Sequence, residues 1–318
     1  MTRIAAIFPG QGSQAVGMGV EVAARVPAAR DIFERAQRVL GYDLLALVRD
    51  GSEEQLRETE FSQPAIFTTN LALFAACEPD LDVVVSAGHS FAEFCSLTIA
   101  GALSFEDALH VVDERAKAMQ EAARAAPGGM AAILGLEAER VRPVVERVQR
   151  EHDACLQLAN FNSPTQIVIS GDLGAVQAAG DALLEAGAKR VVPLNVSGAW
   201  HSDLMRPAVA RFAKAIEAAH FSLPRFDVVS NVDGKPYRDV ESIKGNLVRS
   251  ITDEVRWHET AECVLRSAPD LVVEFGASPV LTSLMRRLPN APRTLGVSDL
   301  QGIASLRGAI DDKAESRV

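Results

Sequence analysis

Apolar residues along the first part of the chain alternate between compact runs and helix-spaced stretches. Runs rich in Ile, Val and Ala at residues 4–8 and 81–86 predict buried strands. Stretches with apolar residues three and four positions apart predict helices over residues 21–40, 63–76 and 105–125. Strands that alternate with helices are typical of an α/β fold with a parallel sheet.

The segment after residue 126 has a different order of elements. It follows a cluster of helix breakers, Pro127-Gly128-Gly129. In chain order, the predicted elements are a strand at 130–134, a helix at 137–151, strands at 155–160 and 166–171, a helix at 173–186 and a strand at 190–194. This β-α-β-β-α-β order is that of a ferredoxin-like unit, so a small second lobe is predicted.

The remaining residues return to the larger unit through Ser197-Gly198. The predicted elements there are helices at 203–219 and 241–251 and strands at 227–231 and 271–275. The charged tail at 311–318 is expected to fray.

Composition narrows the class of protein. The formal net charge is −10, whereas a nucleic-acid-binding protein would show a basic face. The sequence has no uncharged stretch long enough to span a bilayer, and the N-terminus enters a strand without a signal-like region. We therefore expect a soluble, cytoplasmic protein.

The four cysteines argue against a metal site. Cys77, Cys95, Cys155 and Cys263 are far apart and form no Cys-x-x-Cys pair. Reduced structural thiols are the expected state, and no bound metal or cofactor is predicted.

A lone serine follows the second predicted strand at a sharp turn. The turn is Ala87-Gly88-His89-Ser90-Phe91, and helical spacing resumes at Phe94. A serine on such a turn has its hydroxyl pushed out of the backbone at a helix N-terminus, where unpaired N–H groups favour an oxyanion. Taken alone, the motif is equally compatible with an ordinary turn in which Ser90 is the helix N-cap.

Four further motifs carry residues suited to acyl-transfer chemistry. They are the Gly-Gln-Gly turn around Gln11, the predicted helix bearing Arg115, the loop with Asn160 and Asn162, and the small-residue loop with His201. The glycines around Gln11 allow a backbone turn that points N–H groups at a ligand.

These motifs, in this order, resemble the malonyl-CoA:acyl-carrier-protein transacylase family and the related acyltransferases of polyketide synthases. The resemblance runs from about residue 4 to about residue 288. It implies an α/β fold class with two lobes. Residues 1–126 and 198–318 would form a large α/β-hydrolase-like catalytic lobe with a parallel sheet. Residues 127–197 would form a small inserted ferredoxin-like lobe.

The resemblance also implies the catalytic roles. Ser90 would be the nucleophile and His201 the base that deprotonates it. The backbone N–H groups of Gln11 and Phe91 would bind the oxyanion of the tetrahedral intermediate. A main-chain carbonyl orients the histidine in the family, and the matching residue here is Ser250, where many members carry glutamine.

Arg115 decides which acyl group is expected. A guanidinium with forked donors suits a free carboxylate such as that of a malonyl group, and the resemblance matches Arg115 to the arginine that binds it. A solvated helix arginine paired with Glu114 or Glu121 is the alternative. The other residues that the resemblance places around the substrate are Gln63, Met119, Asn162 and Trp200.

Three positions depart from the usual family pattern. Ala92, two residues after the serine, occupies a position that is usually glycine. Trp200 precedes the histidine, where phenylalanine or serine is frequent. The segment from Phe275 to Pro279 replaces a more usual Gly-Pro-Gly turn. A large aromatic at Trp200 should narrow the acyl pocket and favour malonyl over methylmalonyl. Together these departures favour a discrete enzyme of a polyketide pathway.

The implied substrates are a CoA thioester and a phosphopantetheinylated acyl carrier protein. Carrier proteins are acidic and so is this chain, so docking needs a local basic patch. The candidates are Lys189, Arg190, Arg206, Arg211, Arg286 and Arg287. For any single one, a merely solvated side chain is an equally good interpretation.

Two rival functions stay open at the level of sequence. One is an acyl-thioester hydrolase, or an acyltransferase for uncarboxylated groups, with the same serine and histidine. Arg115 argues against it, because an uncharged acyl group would leave that cation unpaired. The other is a non-catalytic scaffold that only binds a carrier protein, and the presence of Ser90, His201 and Arg115 together argues against that.

Overall fold

The strands form two separate sheets within residues 2–78 and 81–315, which the computed structural model describes. In chain order they are β1 (Arg3–Phe8), β2 (Asp82–Gly88), β3 (Gly128–Leu134), β4 (Leu156–Ser163), β5 (Gln166–Asp172), β6 (Arg190–Pro193), β7 (Asp227–Val228), β8 (Leu271–Phe275) and β9 (Arg293–Val297).

The α-helices surround both sheets. They are α1 (Val20–Arg25), α2 (Pro27–Leu40), α3 (Leu44–Asp50), α4 (Glu53–Arg57), α5 (Thr59–Ala75), α6 (Glu93–Ile99), α7 (Phe105–Ala125), α8 (Ala138–His152), α9 (Leu173–Glu185), α10 (Arg206–Ala218), α11 (Val240–Arg249), α12 (Trp257–Arg266), α13 (Leu281–Met285) and α14 (Leu300–Glu315). None of the helices in the described ranges is long and apolar enough to cross a membrane.

The larger sheet is parallel and is buried on both faces. Its strand order is β7-β2-β1-β8-β9. Along β1, Ile4, Ala6 and Phe8 pack into one hydrophobic cluster, whereas Ala5 and Ile7 pack into another on the opposite face. Because helices cover both faces, the strand is a continuous apolar run rather than an alternating one.

The smaller sheet is antiparallel, with the order β4-β5-β3-β6. Its own cluster of apolar side chains packs under α8 and α9. Both the element order and the strand order are those of a ferredoxin-like unit. The predicted α/β class with a parallel sheet and a ferredoxin-like unit is therefore confirmed. The exact lobe boundaries at residues 126/127 and 197/198 stay a prediction.

Two backbone hydrogen bonds join the small sheet to the larger unit. The Phe161 N–H donates to the Val255 carbonyl at 2.8 Å, and the Val255 N–H donates to the Ala159 carbonyl at 2.8 Å. These bonds tie β4 to the segment that follows α11. The segment that follows α11 also reaches the candidate site. The two hydrogen bonds therefore hold β4 in place relative to that segment.

Several predicted boundaries are wrong, and each has a local cause. The helix predicted at 21–40 is two helices, because Val26 is extended (φ −115°) before Pro27, which starts α2. The strand predicted at 227–231 ends at Val228, because the chain then turns back on itself: Val229 forms an isolated antiparallel bridge with Pro236, and the Tyr237 N–H donates to the Val228 carbonyl. The tail at 311–315 is helical in α14, and residues 316–318 lie outside the described residues.

Candidate active site

Ser90 lies on a tight turn between β2 and α6. Its backbone φ is 56°, in the left-handed region that side chains rarely adopt. A short 3-10 helix, Ser90–Ala92, then leads into α6. Gly88 permits the turn, since a Cβ there would lie 2.0 Å from the Ala92 carbonyl oxygen. The structure thus supports the predicted strand-to-helix turn with the serine at its apex.

His201 reaches Ser90 from the loop after β6. Its Nε2 lies 2.9 Å from the Ser90 Oγ, although the two residues are 111 positions apart in sequence. His201 is buried and also has a positive φ of 58°. Left-handed backbone at both partners of one hydrogen bond is typical of a site whose surroundings hold a strained arrangement.

Two main-chain carbonyls face His201: that of Asp253, which the sequence did not predict, and that of Ser250, which it did. The His201 Nδ1 lies 3.1 Å from the Asp253 oxygen. Ser250 ends α11, and the N–H groups of Thr252 and Asp253 fold back onto Arg249, which turns the Asp253 carbonyl toward the ring. The Ser250 carbonyl acts only as a second neighbour, which raises the pKa of His201 less than Asp253 does.

The imidazole of His201 is held in its neutral form. Burial is the largest cause that lowers its pKa, and together with the nearby Arg115 cation and the His89 ring it brings the pKa to about 3. A neutral imidazole whose Nδ1–H donates to a carbonyl leaves Nε2 free to accept a proton from Ser90. This is the arrangement of a serine nucleophile and its base.

Arg115, on α7, is a buried cation with unused donors. Its Nη1 donates to the Gln63 Oε1 at 3.0 Å. Its Nε and Nη2 have no hydrogen-bond partner anywhere in ranges 2–78 and 81–315. Burial lowers its pKa to about 9, so the side chain is still charged at neutral pH. Donors left unpaired in the interior are costly, so they point to a missing anionic partner.

The acidic neighbours of Arg115 on its own helix are engaged elsewhere. Glu114 accepts from the Arg211 Nε at 2.9 Å, and Glu121 accepts from the Arg211 Nη1 at 2.7 Å. The alternative of Arg115 as a solvated arginine paired with Glu114 or Glu121 is therefore wrong.

Gln63 and Met119 complete the wall beside Arg115. Gln63, on α5, is fully buried, and its Nε2 lies 3.3 Å from the Gln11 Oε1 and 3.7 Å from the Met119 sulfur. The Gln11 Nε2 in turn donates to the Thr59 Oγ1 at 2.8 Å. The predicted residues Gln11, Gln63, Arg115 and Met119 thus form one connected group.

The two predicted oxyanion donors lie on the segments that follow two neighbouring strands. Strands β1 and β2 are parallel neighbours with Phe8 opposite Gly88. The loop after β1 carries Gln11, and a Cβ at Gly10 would lie 2.6 Å from the His89 carbonyl oxygen. Gly10 therefore allows the two backbones to approach closely. The roles of the Gln11 and Phe91 N–H groups stay a prediction.

A cavity of about 240 Å³ has Gln11 in its wall and is lined by strands of the small sheet and by the segments that follow β1 and β2. Among its lining residues are Gln11, His89, Asn160, Asn162 and Ser283. The Asn162 Oδ1 lies 3.0 Å from the His89 Nε2. Asn162 thus lines the cavity and is hydrogen-bonded to His89, the residue before Ser90. A larger cavity of about 640 Å³ also has Gln11 in its lining, together with Arg57 and Asn195.

Trp200 packs just before His201 and is buried. A Cβ at Gly198 would lie 2.7 Å from its indole ring and 2.8 Å from the Ala123 side chain. The Gly198 backbone therefore lies close to both the Trp200 ring and Ala123 of α7. Its predicted effect on the choice of acyl group stays a prediction.

No cluster of three or more His, Cys, Asp or Glu side chains in the described part of the chain is arranged to hold a metal ion.

Comparison with known proteins agrees with this geometry. Residues 6–300 match the model of the acyl transferase domain family. The chain belongs to the acyltransferase family. Among similar proteins, the malonyl CoA-acyl carrier protein transacylase of Salmonella typhimurium is 39% identical over 312 residues, which are 98% of this chain and 99% of that protein. The resemblance seen in the sequence is thereby confirmed.

Solved structures of acyltransferases share the fold. An acyl carrier protein S-malonyltransferase from Vibrio cholerae has a TM-score of 0.90 and 37% identity, covering 95% of this chain and 99% of that one. A malonyl-transacylase solved in complex with a type II polyketide synthase acyl carrier protein has a TM-score of 0.90 and 38% identity, covering 96% and 98%.

Three residues that contact the acyltransferase site were not predicted. Asp253 contributes a main-chain oxygen, so its side chain carries no signal. Thr59 bonds to Gln11 from the start of α5, which begins four residues earlier than predicted. Asn231 contacts the Ser90 N–H, and its position just past a strand of the parallel sheet was the available signal.

Proposed function

We propose that this acyltransferase moves a malonyl group from CoA to the phosphopantetheine thiol of an acyl carrier protein, through an acyl intermediate on Ser90. The observation that carries the proposal is Arg115, which is buried and has two unpaired guanidinium donors on the wall that Gln63 and Met119 share. A carboxylate accepts from two such donors at once. A malonyl group ends in a carboxylate, whereas an acetyl group does not.

The residues present account for each proton in both half-reactions. His201 Nε2 takes the Ser90 proton as Oγ attacks the thioester carbonyl, and the N–H groups of Phe91 and Gln11 stabilise the oxyanion. The C–S bond breaks, and the CoA sulfur leaves with the proton from His201. The carrier thiol then attacks the acyl-serine while His201 takes its proton, and Ser90 recovers that proton as the C–O bond breaks.

Replacement of Arg115 by alanine tests the choice of acyl group. Loss of a charge-assisted bidentate contact in a desolvated site costs about 2–4 kcal/mol, so acylation by malonyl-CoA should fall tens- to hundreds-fold. Acylation by acetyl-CoA should rise relative to malonyl-CoA, since the uncharged group no longer faces an unpaired cation. The quantity to measure is the ratio of the two acylation rates within each variant.

Arg124→Ala is the matched control, because Arg124 lies on the same helix but is exposed and bonds to Glu58 and Glu60. Its malonyl-to-acetyl ratio should equal that of the wild type. An unchanged ratio in Arg115→Ala would remove the carboxylate-binding role and the malonyl proposal with it.

The pH dependence of acylation follows from the pKa of His201. Because that pKa is lowered to about 3, the imidazole stays in its basic form as the pH falls. The acylation rate, measured by rapid quench, should therefore stay nearly constant from about pH 8 to about pH 5.5, with no inflection at the ordinary histidine pKa of about 6.5. In Arg115→Ala one positive neighbour is gone, so the inflection should move to higher pH. A wild-type rate that halves near pH 6.5 would contradict the assigned environment of His201.

The partners of the six basic candidates reduce the number that are free to contact the carrier. Arg211 bonds to Glu114 and Glu121, Arg206 to Asp203, and Arg286 to Thr294. Within the described ranges the side chains of the three other candidates, Lys189, Arg190 and Arg287, make neither an ion pair nor a hydrogen bond. Arg287 also lines a cavity with Asn162 beside the cleft. We therefore favour Arg287 for contact with the acidic carrier. Assignment to a polyketide pathway stays a prediction.

A further inference from the structure

The side chain of Asn231 bridges both sides of the Ser90 turn. Its Oδ1 accepts from the Ser90 N–H at 3.1 Å, and its Nδ2 donates to the Gly88 carbonyl at 2.6 Å. Asn231 is 1% exposed and lies just past β7, 141 residues from Ser90 in sequence. A single carboxamide therefore connects the residue two before the nucleophile with the nucleophile itself.

Glu93 binds the NH₂ side of the Asn231 carboxamide. The Glu93 Oε2 accepts from the Asn231 Nδ2 at 2.6 Å and from the Asn231 N–H at 2.9 Å, and its Oε1 accepts from the Tyr237 hydroxyl. Burial raises the pKa of Glu93, but the orientation of the amide does not depend on that charge, because the Gly88 carbonyl only accepts and the Ser90 N–H only donates. The amide NH₂ of Asn231 must therefore face Glu93 and Gly88, which leaves its oxygen for the Ser90 N–H.

The contact falls where the backbone needs support. Ser90 has a φ of 56°, and a conformation of that kind persists only where the surroundings hold it. The main chain of Asn231 also accepts from the Arg256 N–H at 2.9 Å, three residues beyond Asp253, whose carbonyl orients His201. Asn231 thus contacts the nucleophile with its side chain and the segment behind the base with its main chain.

We propose that Asn231 and Glu93 are positioning residues that hold Ser90 in its reactive conformation, with Glu93 acting through the Asn231 carboxamide. The inference rests on the proposed function only in taking Ser90 as the nucleophile. It does not depend on which acyl group is carried.

Asn231→Ala tests the proposal with two electrophiles. One is malonyl-CoA, and the other is diisopropyl fluorophosphate, a small reagent that needs only an activated serine. We expect the rate of acylation by malonyl-CoA to fall about 10- to 100-fold, because displacement of a reacting atom by about 1 Å costs that much. The KM for malonyl-CoA should change less than about threefold, since Arg115 and Gln63 are untouched. Labelling of Ser90 by the fluorophosphate should fall by a similar factor.

Asn246→Ala is the matched control. Asn246 is another buried asparagine of the same region, but it bonds to Ser230 and Asp233 and not to the Ser90 turn. Its rates should stay near those of the wild type. An equal loss in Asn246→Ala, or a loss in Asn231→Ala seen in KM alone, would show a general structural effect and overturn the proposal.

Glu93→Gln is a second variant that keeps the side-chain volume in case Asn231→Ala does not fold. An amide at position 93 has one acceptor oxygen, so it cannot accept from both Asn231 and the Tyr237 hydroxyl as Glu93 does, and we expect about a tenfold lower rate with both electrophiles and an unchanged KM. Wild-type rates in Glu93→Gln would overturn the role of Glu93. If the wild type reacts with the fluorophosphate but not with malonyl-CoA, the proposed function fails while this test can still be read.

Discussion

Ser90→Ala is expected to abolish acyl-enzyme formation while the fold is retained. Both side chains carry a Cβ, so the left-handed backbone at residue 90 costs about the same in each, and only the hydroxyl that bonds to His201 is lost. Intact-mass spectrometry after mixing with malonyl-CoA should find no adduct, and the midpoint of thermal unfolding should change by only a few degrees, on the order expected for one lost hydrogen bond.

Ser283→Ala is the control for this result. Ser283 lines the cavity that Gln11 and His89 also line, but its hydroxyl donates to the Val280 carbonyl. This variant should acylate at the wild-type rate and stoichiometry. An adduct that persists in Ser90→Ala would mean that another nucleophile in the cleft takes the acyl group.

His201→Ala is expected to lower the acylation rate about 10³- to 10⁴-fold, because the base acts in the chemical step. Binding of the carrier protein should be unchanged, since His201 is buried and does not reach the surface. Rapid-quench acylation and a separate carrier-binding assay measure the two effects. Added imidazole should restore part of the rate, because the substitution leaves a cavity beside the Ser90 Oγ.

His89→Ala separates the two histidines of the site. The His89 Nε2 is bonded to Asn162, and its ring packs 5.5 Å from that of Trp257, so it is not oriented toward Ser90 as a base. Its loss should lower the rate much less than the loss of His201. Near-wild-type acylation in His201→Ala, together with a large loss in His89→Ala, would reverse the assignment.

Local patterns were sufficient to predict most elements of the fold. The helix at Phe105–Ala125 and the β-α-β-β-α-β unit follow from apolar spacing and from the breaker cluster that precedes β3. The break before α2 also had a local signal, Pro27, but the apolar spacing continues across it and led to the prediction of one long helix. By contrast, β9 was missed because Arg293–Val297 is short and mostly not fully buried, so it lacks the apolar run of a central strand.

The residues of the site also fall into some that the sequence could predict and some that it could not. Ser90 stands on a turn that its neighbours specify, and the family pattern pointed to His201, Arg115 and Gln63. The carbonyl at Asp253 depends on how the chain turns after α11, and the main chain has no residue-specific signal there. The contacts of Asn231 with Ser90 and Glu93 join residues about 140 positions apart, so they become visible only when the parallel sheet brings β2 and β7 together.

Intact-mass spectrometry of the wild-type protein mixed with malonyl-CoA, before and after addition of phosphopantetheinylated acyl carrier protein, tests the central claim most directly. We predict that the enzyme gains one malonyl group on Ser90, keeps it in water, and loses it to the carrier when the carrier is added. A protein that never gains the group would be a scaffold and not an acyltransferase. An adduct that disappears equally fast without the carrier would make the protein a thioester hydrolase, and either result would contradict the proposed transfer.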